Sequence, residues 1–548
     1  MKFLQNQKYI LPLVLFVLIF LFVNFYTLAA NIHGDAKMHT LFAREIVKTG
    51  HILGHDPYRI LNIKDDKVIY APIAYPQTSH IFMALFYILG NEELLKFFSP
   101  FLVSVTALFT YLFFVNINIW LGFFGAIFAT VLNMRRFIMT PLMEQFLLFG
   151  AVSTIYFYYL FLKKRQTKYI MLTSLFWGLT LATKQQGFIL SAGILIHGLL
   201  FGFFKKTKNK SFNFLKQFAV IVLLTALVCS VPLYDQIERN GTFDSVPGST
   251  KLPFMTSKYP LDSASWEVLQ SRLSYLFEYK SIFEVLGVLI IQPIYYSISL
   301  NIIRTSSLLV NVWIIIFGIL FILGYFYLAK EDKKLFSLFL MVFFSNLYMI
   351  YHTNTSLDQY HNVFLYLFAV ISMCGLFKSI KMLQKYHRLI IPLVLLILIT
   401  SGTVGYTTYI QPLYGQSGRE KYIKYYKKLC MYVKDNTSKD SIFLTAETSF
   451  RYYCERNTIW ITAGGGAKIP LIFETNNPNV ALKWLKYYNV NYIFINNDQT
   501  KWRGSNDYIP PHGLLDYIDH LPCFEKVYEV PLENPKLILY KVSYPLRD

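Results

Sequence analysis

Asp35 follows directly on the first long apolar run of the chain, which is where a carboxylate would be held at a lipid surface to take a proton from a hydroxyl. It opens the stretch Asp35-Ala-Lys-Met-His-Thr-Leu-Phe-Ala-Arg-Glu-Ile-Val-Lys-Thr-Gly50, whose Met38, Leu41, Phe42 and Ile46 share one helical face. Capping that helix is the plainer role for the same side chain. The surrounding segment also carries His33, His39, His51, His55 and Asp56, with His80 just beyond. His33, His51, His55 and Asp56 are residue types that ligate a divalent metal, although they include no His-x3-His pair on an established helix with a third ligand. Further along, Glu144 in Thr140-Pro-Leu-Met-Glu-Gln lies inside an apolar region, where an isolated charge is expensive and so marks a functional site or a partner. Lys184 in Leu181-Ala-Thr-Lys-Gln-Gln-Gly187 is that partner in the structural reading. In the functional reading Lys184, Arg135 and Arg136 form a cationic site for a phosphate. Asp358 and His361 add a fourth polar cluster. Gly464-Gly465-Gly466 has neither the GxGxxG pattern nor a following Walker lysine and reads as a turn.

The elements that must carry these residues are membrane helices. Of 548 residues, 54% are hydrophobic and 15% charged, with a mean hydropathy of +0.39, which excludes a cytosolic enzyme. Tyr9 to Ala30 is an uncharged run long enough to cross a hydrocarbon core of about 30 Å. It exceeds the apolar region of a cleaved signal peptide and reads as a retained span. Ten further candidates lie at 94–115, 117–134, 138–162, 169–183, 187–204, 214–233, 306–329, 335–351, 359–377 and 389–410, about eleven spans in all. The net charge of +20 reflects topology rather than nucleic acid. With a cytoplasmic N-terminus, the clusters at Lys163 to Lys168, Lys205 to Lys210, Lys330 to Lys334 and Lys378 to Arg388 all fall inside. That arrangement holds only if 78–90 and 282–300 are interfacial helices, placed in outer loops 31–77 with its continuation and 234–305. Residues 1–410 are therefore one membrane domain. Residues 411–548 alternate strand-like runs (441–445, 458–462, 491–496, 537–542) with helical ones (420–433, 479–488), the pattern of an extracytoplasmic α/β domain. Its Cys430, Cys454 and Cys523 allow at most one disulfide.

In this order the features resemble the GT-C class of integral-membrane glycosyltransferases, in particular the group of dolichyl-phosphate-mannose protein mannosyltransferases and aminoarabinose transferase-like enzymes. The resemblance is carried by Gly-Asp35-Ala-x-x-His39, by Ala-Arg-Glu-Ile-Val-x-Thr-Gly50, by Tyr75-Pro76 and His80 leading to Leu89-Gly90, by Glu144, by Trp177-Gly-Leu-Thr-Leu-Ala-Thr-Lys184, and by Asp358-Gln-Tyr-His361. It covers residues 1 to about 410. The chain has Pro76-Gln77 where the group commonly has Pro-Pro, and it lacks the Trp-Trp-Asp signature of oligosaccharyltransferases. The resemblance implies inverting transfer of a hexosyl or pentosyl group from a polyprenyl-phosphate donor to a protein, lipid or glycan acceptor on the outer side of the cell membrane. It makes Asp35 the base and has Glu144 hold the donor or acceptor and help set the pKa of its neighbours, with Lys184, Arg135 and Arg136 on the donor phosphate. His39, Tyr75, His80, Asp358 and His361 become substrate contacts. No cofactor is required, and a divalent metal is an option. Two rivals belong to other classes: a transporter or flippase for a lipid-linked sugar, and a non-catalytic envelope assembly protein. Transporters favour midplane charges and inverted repeats, whereas the charges here gather at the rim. The topology is checked by reporter fusions after Lys206 and after Gly418, which are expected to report opposite sides of the membrane.

Overall fold

The computed structural model describes residues 2–29, 35–64, 67–73, 77–132, 143–184, 187–204, 208–240, 307–353, 362–382, 417–445, 449–460, 472, 475, 477–496, 518–530 and 537–544. In chain order its elements begin with α1 (Lys2–Ala29), α2 (Asp35–Thr49), β1 (His55–Lys64) and β2 (Lys67–Pro72). A helical series follows: α3 (Thr78–Leu95), α4 (Phe98–Phe114), α5 (Ile119–Leu132), α6 (Met143–Lys164), α7 (Thr167–Leu181), α8 (Gly187–Phe203), α9 (Lys208–Asn240), α10 (Ser307–Glu331), α11 (Lys333–Thr353) and α12 (Asn362–Met382). The last part comprises α13 (Ser417–Asn436), β3 (Ile442–Thr445), α14 (Ser449–Cys454), β4 (Asn457–Trp460), α15 (Pro478–Tyr487), β5 (Tyr492–Asn496), β6 (Phe524–Val530) and β7 (Leu537–Val542). These elements form two compact units, one of Met1–Ala36 with Ala74–Tyr414 and the other of Lys37–Ile73 with Gly415–Asp548.

Among its described residues the first unit is helical. Leu15, Ile19 and Val23 of α1 recur every four residues and are buried, while Leu13, Val17 and Leu21 on the opposite face are exposed. One stripe therefore packs and the other is left for lipid. Phe16 lies edge-on to Phe101, and Phe20 stacks on Phe97, which sets α1 against α4. Short connections join α4 to α5, α6 to α7 and α10 to α11. Helices occupy ten of the expected spans, while 389–410 lies outside the described residues. By length and composition, Met143–Lys164 and Ser211–Asp235 can cross a membrane. A third span is added if α3 and α4, bent by 105° to each other, count as one. α3 covers the expected 78–90 helix and breaks at Gly90 and Asn91, the latter at φ 56°. The expected helix at 282–300 lies outside the described residues.

The second unit is a mixed seven-stranded sheet in the order β2-β1-β4-β3-β5-β7-β6. The β1/β4, β4/β3 and β3/β5 pairs are parallel, and the remaining pairs are antiparallel. Alternate residues go to opposite faces. Ile442, Leu444, Ile493, Ile538 and Tyr540 pack with Ala481 and Leu485 of α15. Phe443, Phe494, Leu537 and Leu539 pack with Tyr426, Leu429 and Val433 of α13 and with Phe450 of α14. The result is a three-layer α/β sandwich. The assignment of loop 31–77 to the membrane domain is corrected here, because residues 37–73 belong to the sheet unit. The physical reason is backbone pairing of Arg59 with Thr458 and of Ile60 with Ile459, which also buries Ile60. Cys430 and Cys454 form a disulfide that ties α13 to α14, and Cys523 is free. The denatured chain should accordingly titrate three thiols without reductant and five with it. Opening the bridge with Cys454→Ser should destabilise the sheet unit by about 3 kcal/mol, the scale for closing a loop of this length, read by thermal unfolding of the full chain.

Candidate active site

Glu144 is the second residue of α6, where a carboxylate complements the positive end of the helix. Lys184 stands in the turn between α7 and α8, and several contacts hold that turn. Trp177 donates its indole N–H to Ser191 Oγ at 2.6 Å, and Thr183 Oγ1 donates to the Leu179 carbonyl at 2.7 Å. The Gly187 N–H donates to the Lys184 carbonyl at 2.9 Å. Gly187 has no substitute here, since a Cβ would lie 2.5 Å from the Thr180 carbonyl oxygen. At Gly150 the approach of α6 to α7 is equally close, with a Cβ only 2.5 Å from Thr180 Oγ1. This packing brings Lys184 Nζ to 2.6 Å from Glu144 Oε1, with side chains 4% and 5% exposed. The structural half of the sequence reading, a Glu144 to Lys184 ion pair, is thus present.

The first turn of α3 lies beside the first turn of α6, because Phe82 packs on Phe146 with ring centroids 4.8 Å apart. Gln77, Thr78, Ser79 and His80 are all buried. No side chain caps this helix start, and no acidic residue occupies its first turn. Among the described residues the hydroxyls of Thr78, Ser79 and Ser99 are buried without a hydrogen-bond partner. Buried hydroxyls are normally satisfied, so a group supplying oxygen acceptors would suit this place. A helix start presents N–H groups that have no acceptor within the helix and carries a partial positive charge. A lysine ammonium, a helix N-terminus and hydroxyl donors are each groups suited to an anion such as a phosphate. Thr78 and Ser79 escape sequence reasoning, the only signal being a polar triplet before His80.

Of the other sequence candidates, Asp35 is the first residue of α2 and follows the end of α1 by six positions. His39 is buried on the same helix, and His80 is buried in α3. His33, Tyr75, Arg135, Arg136, Asp358 and His361 lie outside the described residues. The metal set is not assembled. Asp56 is engaged by Arg451 in a buried ion pair, while His51 and His55 are exposed. No group of three His, Cys, Asp or Glu suited to a metal occurs among the described residues.

No protein-family model and no curated protein matches the sequence. Solved structures do match in fold. The archaeal oligosaccharyltransferase AglB from Archaeoglobus fulgidus, in complex with an inhibitory peptide and a dolichol-phosphate, is 14% identical with a TM-score of 0.58, covering 90% of this chain and 70% of AglB. A crystal structure of the Archaeoglobus fulgidus oligosaccharyltransferase with Zn and sulfate gives a TM-score of 0.56 at 12% identity over 96% of this chain and 73% of its own. ArnT from Cupriavidus metallidurans bound to undecaprenyl phosphate is 11% identical with a TM-score of 0.57, covering 97% of this chain and 99% of ArnT. The apolar helices mark an integral membrane protein, and the likeness shows that the chain shares the fold of AglB and ArnT.

Proposed function

We propose that the chain is a glycosyltransferase that moves one sugar from a polyprenyl-phosphate donor to a hydroxyl acceptor outside the cytoplasm. The observation that carries this reading is the fold match to ArnT over nearly the full length of both chains, the matched ArnT being bound to undecaprenyl phosphate. Three further features support it. The buried Lys184, paired with Glu144 of α6, and the uncapped start of α3, which packs on α6 through Phe82 and Phe146, offer cationic and hydrogen-bonding groups to a phosphate. The absence of Trp-Trp-Asp from the sequence favours single-sugar transfer over transfer of an assembled glycan. The Cys430–Cys454 disulfide suits an oxidising compartment, and so an outer location for the sheet unit.

In this mechanism Asp35 takes the proton of the acceptor hydroxyl as its oxygen attacks the anomeric carbon from the face opposite the phosphate. The bond from that carbon to the phosphate oxygen breaks, and its electron pair leaves with the phosphate. The anomeric centre is inverted. A phosphate leaving group is a weak base and needs charge stabilisation rather than a general acid. Lys184, with the N–H groups and hydroxyls of Thr78 and Ser79, supplies it, and Arg135 and Arg136 add charge. Glu144 holds Lys184 in place and keeps its charge compensated before the donor arrives.

Asp35→Asn keeps the shape and capping capacity of the side chain and removes its basicity. Transfer from a polyprenyl-phosphate sugar is expected to fall by about 10² or more, and a folded variant with normal turnover would leave helix capping as the role of Asp35. Lys184→Met and Glu144→Gln should each strand a buried charge and destabilise the protein by about 3–5 kcal/mol. The double variant should recover much of that stability in thermal unfolding yet remain slow in transfer, since neither Met nor Gln neutralises a phosphate. Recovery of transfer toward wild type would remove Lys184 from the donor site.

A further inference from the structure

At its far end from Glu144, α6 runs into a cluster of cations. The helix is 22 residues long and can cross a membrane, which puts Lys163, Lys164 and Arg165 at the opposite membrane boundary from the Glu144–Lys184 pair, about 30 Å away along the helix axis. Asp332, between α10 and α11, is the carboxylate that meets this cluster among the described residues, and both of its oxygens are engaged. Oδ2 accepts from Lys163 Nζ at 2.7 Å and from the Tyr159 hydroxyl at 2.6 Å, and Oδ1 accepts from the N–H groups of Lys334 and Leu335, each at 3.1 Å. Burial would raise its pKa, but the hydrogen bonds from Lys163, Tyr159 and the Leu335 N–H carry it below the usual carboxylate range. Lys334 Nζ is engaged as well, donating to the Leu162 carbonyl at 2.8 Å.

Arg165 is left over. Its guanidinium makes no hydrogen bond and no ion pair with any described residue, and Nη1 is buried without a partner. Instead it lies 4.2 Å from the centre of the Phe214 ring, 4.8 Å from Phe161 and 5.8 Å from Phe201, so α9, α6 and α8 each give it an aromatic face. These rings attract the charge but supply no acceptor oxygen. The residue is half-buried, and burial lowers its pKa. It also sits at φ 56°, the left-handed position after a helix that glycine ordinarily takes, so its presence asks for a use. Lys164 and Lys168, both exposed, lie 5.8 Å and 5.2 Å from the centre of the Tyr169 ring and have no ion pair among the described residues. Close by in the sequence to Phe201 and Phe214, the side chains of Phe203, Phe204 and Phe212 are 67%, 82% and 72% exposed. Exposed aromatic side chains beside basic ones suit a bilayer interface, whereas a soluble anion would leave them in water.

From the guanidinium without an acceptor, the aromatic faces around it and the apolar rim beside it, we propose that this end of the bundle binds the phosphate of an anionic membrane phospholipid. Arg165 is the phosphate ligand, Lys164 and Lys168 are flanking charges, and Phe203, Phe204 and Phe212 lie against the acyl chains. Basic pockets between membrane helices recognise lipid headgroups in this way. Arginine suits the role because its planar fork can stack on a ring and pair with two phosphate oxygens at once.

The test titrates the full-length protein in detergent micelles with phosphatidylglycerol, phosphatidylcholine or inorganic phosphate, reading bound lipid by native mass spectrometry and the melting temperature in parallel. The readout is binding and does not depend on transfer activity. Phosphatidylglycerol should bind about tenfold or more tightly than phosphatidylcholine and raise the melting temperature, and inorganic phosphate at the same concentration should not. Arg165→Gln should weaken phosphatidylglycerol binding by about tenfold, the scale of a charge-assisted hydrogen bond. Arg165→Lys keeps the charge and the stem but lacks the fork, and should bind between the two. Lys333→Gln, which removes an exposed charge at the same end of the bundle, should stay within about twofold of wild type. Equal losses in Arg165→Gln and Lys333→Gln would overturn the site by reducing it to unspecific attraction. Equal binding of the two phospholipids, or the full effect from inorganic phosphate, would overturn the anionic lipid as ligand. Unchanged binding by a folded Arg165→Gln would leave Arg165 as a packing group between three helices. Should Arg165→Gln fail to fold, wild-type affinity in Arg165→Lys overturns the proposal and a partial loss supports it.

Discussion

A carboxylate and an ammonium group taken out of water at the same end of a helical bundle must find each other, and the first unit is arranged so that Glu144 and Lys184 do. Either charge alone would carry a desolvation penalty of several kcal/mol. Meeting fixes the register of α6 against α7, demands glycine at positions 150 and 187, and ends α7 where Lys184 can turn inward. The aromatic contact from Phe146 to Phe82 then sets α3 against α6. A pair of this kind contributes little net stability against well-packed apolar residues.

The second unit obeys a different constraint, the need to satisfy backbone groups of strands on both sides. β4 has β3 on one side, and its other side is filled by β1. Buried charge follows from that pairing. Asp56 and Arg59 are carried in by β1, and Arg451 by α14, so the carboxylate is compensated where it lands. Burial lowers the pKa of Arg59, and the nearby Arg451 charge adds to the effect. Asp56, a metal ligand by residue type, is in this fold the counter-ion of Arg451.

Features set by neighbours along the chain were legible in the sequence. The apolar runs are helical in all ten described cases, the break after Leu89 falls at Gly90, and strands stand at 442–445, 457–460, 492–496 and 537–542. Glu144 and Lys184 could be paired because each is an isolated charge in an apolar context. Partnerships across hundreds of residues were not legible. Nothing local to His55–Lys64 says that its partner is Asn457–Trp460, and β6, with its exposed centre, lacks the apolar density of the other strands. The contacts from Lys37 to Ser449 and from Arg44 and Lys48 to Glu455 are hidden for the same reason, since nothing local to α2 names that segment.

The joining of β1 to β4 also has a consequence in time. The β1–β2 hairpin is made early, and β4 leaves the ribosome only after all the intervening helices, on the order of half a minute later at ordinary elongation rates. Until then β1 has one side zipped to β2 and the other side open, a bare row of N–H and C=O groups able to accept any passing strand. The hairpin is a seat kept for a late arrival, and nascent chains crowded on one membrane would compete for it. Quality control of this protein therefore has a defined moment of exposure, which begins when β1 emerges and closes when Thr458 and Ile459 dock on Arg59 and Ile60.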